Sequence, residues 1–561
     1  MSTSDRAADR LLIHAVRDSG RWLTALLVAA LTVAAAELLL PTVLGHAVDA
    51  AVNDTRPARW LGAAAGLIGL IVAADVCTDL AAGNGSARAT ARLRHTLVRH
   101  MLALDLRAAA RWQDGDLVSR IVGQVAQAGQ AGPAVVAAVA VALPSVGSLV
   151  ALALIDVWLA VAFVAGMLVL GGLLRAFVTD LADAAARYQR AQGDIAARLV
   201  EALAGRRTIA AAGTADREID RVLQPLPALR GHGSRTWDTV GRATARGAVA
   251  APLTQIAVLA VGGLALAAGR LTPGELLAAL QYATLGAGLG AALPELGRLA
   301  RSRAATRRAA EVLAEPTRTH GTACRPPGRG RLDLRAVTVR RGDRAVLDRV
   351  SLTLAAGTTT AVVGESGAGK STLAAVAGRL LDPDGGEVTL DGVPLRQLPR
   401  SVLRRTVGYA FARPVLIGDT ITGALTLGGA ASPAVAAAAA RAACVDAVIQ
   451  RLPDGYATRL ADAPLSGGEA QRIGLARALR AERVLILDDA TSSLDTVTEY
   501  QVGEALAGGD GRTRLVVTHR PATAARADVV AWLHEGRLRG YAPHRVLWWD
   551  PGYRAAFQGE P

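Results

Sequence analysis

Six predominantly apolar runs punctuate the first 300 residues, and each is long enough to cross a bilayer as a helix, which takes about 20 residues. They fall near Trp22–Val43, Trp60–Ala82, Pro133–Ile155, Val157–Val178, Gly247–Ala268 and Glu275–Leu296. In hydrocarbon the backbone must satisfy its own hydrogen bonds, so runs of this length predict six membrane-spanning helices rather than a soluble core. The third and fourth meet at a turn around Asp156 and Trp158. The fifth and sixth are joined by "GRLTPG".

Orientation follows from the placement of arginine, because basic residues accumulate on the cytoplasmic side. Arg88, Arg92, Arg94, Arg99, Arg107, Arg111 and Arg120 lie between runs two and three. Arg187, Arg190, Arg198, Arg206, Arg207, Arg217 and Arg221 lie between runs four and five, and Arg298, Arg301, Arg303, Arg307 and Arg308 follow run six. The opposite loops hold only Arg56, Arg59 and Arg270. Both termini and two long loops are therefore expected in the cytoplasm, with the chain multi-pass in its membrane. The net charge of +14 then reads as membrane topology and contact with lipid, not as a nucleic-acid surface. The long loops keep helical periodicity, as in "LRHTLVRHMLALDL" and "GDIAARLVEALAGRRTIAAAG". They predict membrane helices prolonged into the cytoplasm, with separate soluble hairpins as the alternative.

The opening "MSTSDRAADRLLIHAVRDSGRW" lacks the apolar core of a signal peptide and suits an amphipathic helix along the cytoplasmic face. Cys77, Cys324 and Cys444 are scattered, so neither a disulfide framework nor a zinc site is indicated.

From Glu315 the chain changes character. "EPTRTHGTACRPPGRGR" is polar and rich in proline and glycine, a linker. After it "LDLRAVTV", "AVLDRVSLTL" and "TTTAVVG" read as strands and "KSTLAAVAGRLL" as a helix. The expected organisation is an all-α six-helix transmembrane domain (1–314), a linker (315–330) and an α/β P-loop NTPase domain (331–561) with antiparallel strands in front.

Gly364-Glu365-Ser366-Gly367-Ala368-Gly369-Lys370-Ser371, followed by Thr372, fits GxxxxGK[ST] after a strand and before a helix. Its glycines let backbone N–H groups curl round phosphate oxygens, and the helix N-terminus adds positive potential. Lys370 is placed to reach the β- and γ-phosphates, and Ser371 to ligate Mg²⁺. Lys370 is also the only lysine in the chain. Arginine replaces lysine on solvated surfaces but does not fit a tight phosphate loop, which takes a slender point charge. "VLILDD" supplies an apolar strand ending in Asp488, a carboxylate for Mg²⁺ through water. "LSGGEAQR" starts a helix at Ser466, Gly467, Gly468 and Glu469, a second anion site.

With these motifs in this order, followed by "SSLD" and by His519 in "VVTHR", the chain resembles the ATP-binding cassette (ABC) family over essentially its whole length. "EALAGRRTI" and "DGGEVTLDGVPL" add to the likeness. The membrane half resembles a type IV exporter-fold half-transporter, and the arginine- and alanine-rich composition fits a GC-rich actinobacterial source. The resemblance implies ATP and Mg²⁺ as ligands and a second half-transporter as partner. Each ATP would lie between one chain's phosphate loop and the other's Ser466–Glu469, with His519 on the γ-phosphate at Lys370's own site. Short helices near Ala108–Gly115 and Ala204–Ala211 would transmit motion.

Three positions depart from the family pattern. Asp489 stands where a catalytic glutamate is usual. One methylene less retracts the carboxylate by roughly 1.5 Å, enough to lose a hydrogen-bond reach of about 3 Å. Ala412 stands at the Q-loop glutamine and cannot contact a metal or its waters. Arg341 stands at the aromatic that stacks on adenine; its guanidinium can stack in its place or remain a plain surface charge. The resemblance thus implies a degenerate site in an asymmetric heterodimer, the alternative being a homodimer in which Asp489 works slowly as base. A soluble cassette ATPase is disfavoured by the six apolar runs. An importer of siderophore type and a catalytically weak regulatory subunit stay open, as does the cargo: small molecule, peptide or lipid. Glu37, Asp75 and Asp79 lie within the apolar runs, where ionisable groups are costly. They either attract a cationic cargo or face water and arginines.

Overall fold

The computed structural model describes residues 3–288, 292–427, 429, 432–507 and 511–557. The chain divides into two compact units, residues 1–102 with 113–314, and residues 103–112 with 315–561.

The first unit is helical. Its long helices are Arg21–Val52, Ala58–Met101, Val157–Ala204 and Leu226–Ala267. At 1.5 Å per residue, the 44 residues of Ala58–Met101 run about 66 Å, far beyond the ~30 Å of a hydrocarbon core. The continuous helices match the expectation that membrane helices prolong into the internal loops. Among the described residues, three segments are long and apolar enough to span a membrane: Arg21–Val52, Ala58–Met101 and Asp114–Ile155. The fourth and fifth expected spans lie on long helices whose described apolar parts are Val157–Leu168 and Pro252–Ala267. The sixth follows helix Pro273–Ala287 and crosses residues 289–291, which lie outside the described residues.

Small residues let these helices approach closely, as they do where lipid gives no hydrophobic drive to pack. A Cβ at Gly45 would stand 2.7 Å from the Gly274 carbonyl oxygen. The crossing is pinned by Asp49, which accepts from Thr272 Oγ1 and from Gly274 N, each at 2.7 Å. Helix Thr3–Asp18 has a protein neighbour as well as its amphipathic character. Arg303 donates to Asp9 at 2.9 Å and Arg92 to Asp18 at 2.8 Å.

The short internal helices differ in detail from expectation. Instead of one helix near Ala108–Gly115 there are two, Leu106–Ala109 and Asp114–Ser119, because Asp105 and Gln113 are both extended and restart the helix. The second expected helix lies at Arg206–Ala212 and is stopped by Gly213 at φ 65°, a left-handed terminator.

Among the described residues the second unit holds two sheets. An antiparallel sheet holds β1 (Leu332–Arg341), β2 (Arg344–Leu354), β4 (Gly385–Leu390) and β5 (Val393–Pro394), in the order β2-β1-β4-β5. A six-stranded sheet holds β3 (Thr359–Val363), β6 (Val407–Phe411), β7 (Val484–Asp488), β8 (Thr513–Val517), β9 (Val529–His534) and β10 (Arg537–Ala542). Its order is β10-β9-β3-β8-β7-β6, parallel except at β10. β3, β7 and β8 are near-continuous apolar runs, as strands covered on both faces must be. Neighbouring parallel strands bring the loops at their carboxyl ends together, where open α/β sheets bind ligands. Here those loops carry Lys370, Asp488 and His519.

Residues 103–112, from the first internal loop, fold into this same unit. Leu104 pairs with Thr317. Arg318 reaches Asp105 at 3.0 Å and donates to the carbonyls of Arg379 and Leu380. Arg107 reaches Asp384 at 2.5 Å.

Candidate nucleotide-binding site

β3 ends at Val363 and the chain turns through Gly364–Gly369 into helix Lys370–Ala377. Two close approaches explain the glycines. A Cβ at Gly364 would lie 2.3 Å from the Leu533 carbonyl oxygen, and one at Gly369 2.8 Å from both Val346 O and Leu347. Gly369 also sits at φ 97°, which a side chain would strain. Glu365, Ser366 and Gly367 are exposed at the tip, Ala368 is buried beneath them, and Thr372 is half-buried in the first helical turn.

Lys370 is 6% exposed. Its ammonium donates to the carbonyls of Gly364 and Glu365, each at 2.8 Å, so the loop encloses it. Burial pulls its pKa down, opposed by the charges of Asp489, Asp488 and Glu365. Ser371 Oγ donates to Asp488 Oδ1 at 2.9 Å. A hydroxyl and a carboxylate converge on one spot beside a phosphate loop. These are hard oxygen donors, few in number, and suit Mg²⁺, which takes one or two protein ligands and completes its shell with phosphate and water. No group of three or more His, Cys, Asp or Glu gathers to hold a metal among the described residues.

Asp489, directly after β7, sits at φ 49°, in the left-handed region that Asp tolerates better than bulkier residues. Burial raises its pKa above the usual carboxylate range; the His519 charge opposes this and Asp488 adds to it. His519 Nε2 lies 3.5 Å from Asp489 Oδ2 and its side chain is half-exposed. The structure therefore gathers Lys370, Ser371, Asp488, Asp489 and His519 around one point.

Ser466–Glu469 form a separate feature. Ser466 and Glu469 cap helix Gly467–Ala478 reciprocally: Ser466 Oγ accepts from Glu469 N, and Glu469 accepts from Ser466 N at 2.8 Å. This pairing holds the Glu469 carboxyl below its ordinary range. Ser466 and Gly467 are exposed at the tip. Among the described residues no hydrogen bond joins them to the phosphate loop of the same chain. Arg341 is exposed at the tip of the β1–β2 hairpin, where it pairs in register with Arg344.

Sequence reasoning missed two residues. Gln471, in "LSGGEAQR", is 1% exposed. Its amide nitrogen lies within hydrogen-bond reach of Ala412 O at 2.9 Å, Asp489 O at 3.1 Å and Ser492 Oγ at 3.3 Å, and its amide oxygen accepts from Ser493 N at 3.0 Å. It ties the capped helix to the segment after β7 that carries Asp489. Its polarity inside an amphipathic helix was the available signal. Tyr409 donates to Asp488 Oδ2 at 2.8 Å, and burial and the Asp488 charge keep its phenol protonated. Nothing in its local sequence marks it.

The family model for ABC transporters matches residues 347–492, and that for the ABC transporter transmembrane region matches residues 23–287. The chain is 46% identical over 546 residues to the ABC transporter ATP-binding protein RamA of Streptomyces coelicolor, spanning 96% of this chain and 86% of the relative. It is 31% identical to an ATP-dependent lipid A-core flippase of Chromobacterium violaceum, over 93% and 91% of the two chains. It is 40% identical to the mycobactin import ATP-binding/permease protein IrtB of Mycolicibacterium thermoresistibile over 42% of each chain. Among solved structures, a bacterial Atm1-family ABC exporter with ATP bound matches with a TM-score of 0.77 at 25% identity, covering 96% of this chain and 98% of that one.

Proposed function

Because the chain belongs to the ABC transporter family, an ATP-hydrolysing membrane transport family, we propose that it is the ATP-retaining half of a heterodimeric exporter. Its own phosphate loop binds ATP firmly and hydrolyses it slowly, while its Ser466–Glu469 tip completes a competent site on the partner.

The observation that carries this reading is the contrast within one site. The binding parts are complete: an enclosed Lys370, a loop with no room for a side chain at Gly364 or Gly369, and Ser371 against Asp488. The catalytic parts are reduced: Asp489 is one methylene short of a glutamate and Ala412 offers only a methyl group. Ser371 and Asp488 would hold Mg²⁺, Asp488 through water; when bound, the ion neutralises phosphate charge. Lys370 and the backbone N–H groups of Gly367–Gly369 hold the phosphates. Asp489 orients water at a distance too long for efficient proton removal, and His519 faces the terminal phosphate. Lying in the inner membrane with both termini cytoplasmic, the pair would use ATP-driven closure to move cargo outward.

The cargo is a lipid-like or amphiphilic molecule on this reading. Support comes from the near full-length likeness to a lipid A-core flippase and from the few aromatics in the chain, 3% of residues. Import is the second reading, favoured by the likeness to a mycobactin import protein, although it spans less than half of this chain. Reconstitution into vesicles with and without a co-expressed half-transporter tests the proposal. Transport that needs the partner, and survives Asp489→Asn in this chain, supports it. Full activity of this chain alone, lost on Asp489→Asn, overturns it.

A further inference from the structure

We propose that Tyr409 is a positioning residue of the nucleotide site, one that holds Asp488 so that its free carboxylate edge faces Ser371 and the metal. This rests on the reading above of Asp488 as the metal-facing carboxylate.

The geometry is built from three elements. β6 and β7 run parallel, with Tyr409 in register with Ile486 and Phe411 with Asp488. Tyr409 is therefore two residues short of Asp488 along the neighbouring strand, and its ring must run forward to reach the carboxylate. It does so, and donates to Oδ2 at 2.8 Å. The other oxygen, Oδ1, is left to Ser371 at 2.9 Å. One carboxylate is thus held by two hydroxyls from two different elements, which fixes its plane. Phe411 supports the ring with centroids 4.6 Å apart.

The space for the ring is provided by Gly378, just past the C-terminus of helix Lys370–Ala377. A Cβ there would meet Tyr409 Cδ2 at 2.8 Å and Ile486 Cδ1 at 3.1 Å. The ring is half-buried against the end of the phosphate-loop helix, which limits its freedom to leave Asp488. This matters more here than in a site with a Q-loop glutamine. Ala412 supplies no side-chain donor to the metal's water shell, which leaves Ser371 and the orientation of Asp488 as the chain's hold on it.

Outer partners that orient metal-facing groups are worth about 10- to 100-fold in metal affinity when removed. Because Asp488 acts through water, the lower end is expected. The test uses the full-length chain in nanodiscs, with a fluorescent, non-hydrolysable ATP analogue as probe and Mg²⁺ titrated from EDTA upward. Tyr409→Phe, which keeps the ring, should raise the half-saturating Mg²⁺ about 10-fold while leaving analogue affinity in EDTA unchanged. Asp488→Asn should also raise it, and Tyr409→Phe added to Asp488→Asn should change nothing further. An unchanged or lower Mg²⁺ requirement in Tyr409→Phe overturns the inference. So does a parallel loss of affinity in EDTA, which marks a merely structural role, or a full effect that persists in the Asp488→Asn background. If Asp488→Asn itself leaves the Mg²⁺ requirement unchanged, the metal-facing reading of Asp488 falls, and the inference with it.

Discussion

Replacing the single lysine tests whether phosphate binding is what preserves it. In Lys370→Arg the charge is kept and the shape is lost. The Lys370 ammonium fits between two carbonyls at 2.8 Å in a residue that is 6% exposed. A planar guanidinium needs more width, and close packing at two of the loop's glycines resists giving it. Gly364 is already against the Leu533 carbonyl and Gly369 against that of Val346. The variant should lose at least one charge-assisted contact to phosphate, worth about 1.5–3 kcal/mol. At 1.4 kcal/mol per decade that is a roughly 10- to 100-fold rise in Kd for ATP. Fluorescent nucleotide binding to the full chain in nanodiscs measures it, with the thermal unfolding midpoint as a control for folding. An unchanged Kd in a folded variant would refute the argument that geometry, rather than charge alone, retains this lysine.

Other expectations follow from the same site. Asp489→Glu restores the missing methylene, and a placed general base contributes about 10²–10⁴-fold. ATP turnover at this chain's site should therefore rise at least about tenfold, even after a left-handed strain of about 1 kcal/mol at φ 49°; no rise in a single-site turnover assay would mean that Asp489 is not limiting. Ser466→Phe, at an exposed helix tip, should leave this chain's own nucleotide Kd unchanged yet stop ATP-driven closure of the pair, read by cross-linking; loss of its own binding would place the tip in the wrong site. Asp384 is held below the usual carboxylate range chiefly by its hydrogen bond from Arg107, helped by Arg340 N. Its depressed folded-state value means that the tie to residues 103–112 is present at neutral pH. It should be lost only as acidification passes through that lowered value, below the ordinary Asp range. Asp384→Ala should accelerate hydrogen exchange in residues 103–112 at neutral pH, and unaltered exchange would count against the tie.

The parts of this protein legible in the sequence are those whose chemistry is local. A phosphate loop needs glycines at fixed offsets and a lysine, so Gly364–Ser371 announces itself. Helix-start signals place the Ser466–Glu469 cap, and an apolar strand ending in acid places Asp488. The apolar runs give the membrane half its class, since the bilayer imposes length on them. What stayed hidden depends on residues far apart in the chain. Tyr409 meets Asp488 only because β6 and β7 are neighbours. Gln471 reads as an ordinary helix residue until its four partners are seen around it. Residues 103–112 read as the end of a membrane helix prolonged into the cytoplasm and the start of a short helix, yet they fold with the cassette, because Leu104, Asp105 and Arg107 find Thr317, Arg318 and Asp384. The short helix after Met101 was expected as one piece; the extended backbone at Asp105 and Gln113 splits it.

The central claim is that this chain's own site holds ATP without turning it over. The most direct test loads the full-length chain, paired with its half-transporter, with labelled ATP and Mg²⁺, removes free nucleotide, and follows what remains bound at the Lys370 site. To assign the label to that site, the partner's phosphate-loop lysine is replaced. The account predicts that the retained nucleotide stays ATP, and that Asp489→Asn leaves its lifetime unchanged. Conversion to ADP at about 1 s⁻¹ or faster, an ordinary enzymatic rate, abolished by Asp489→Asn, would contradict it.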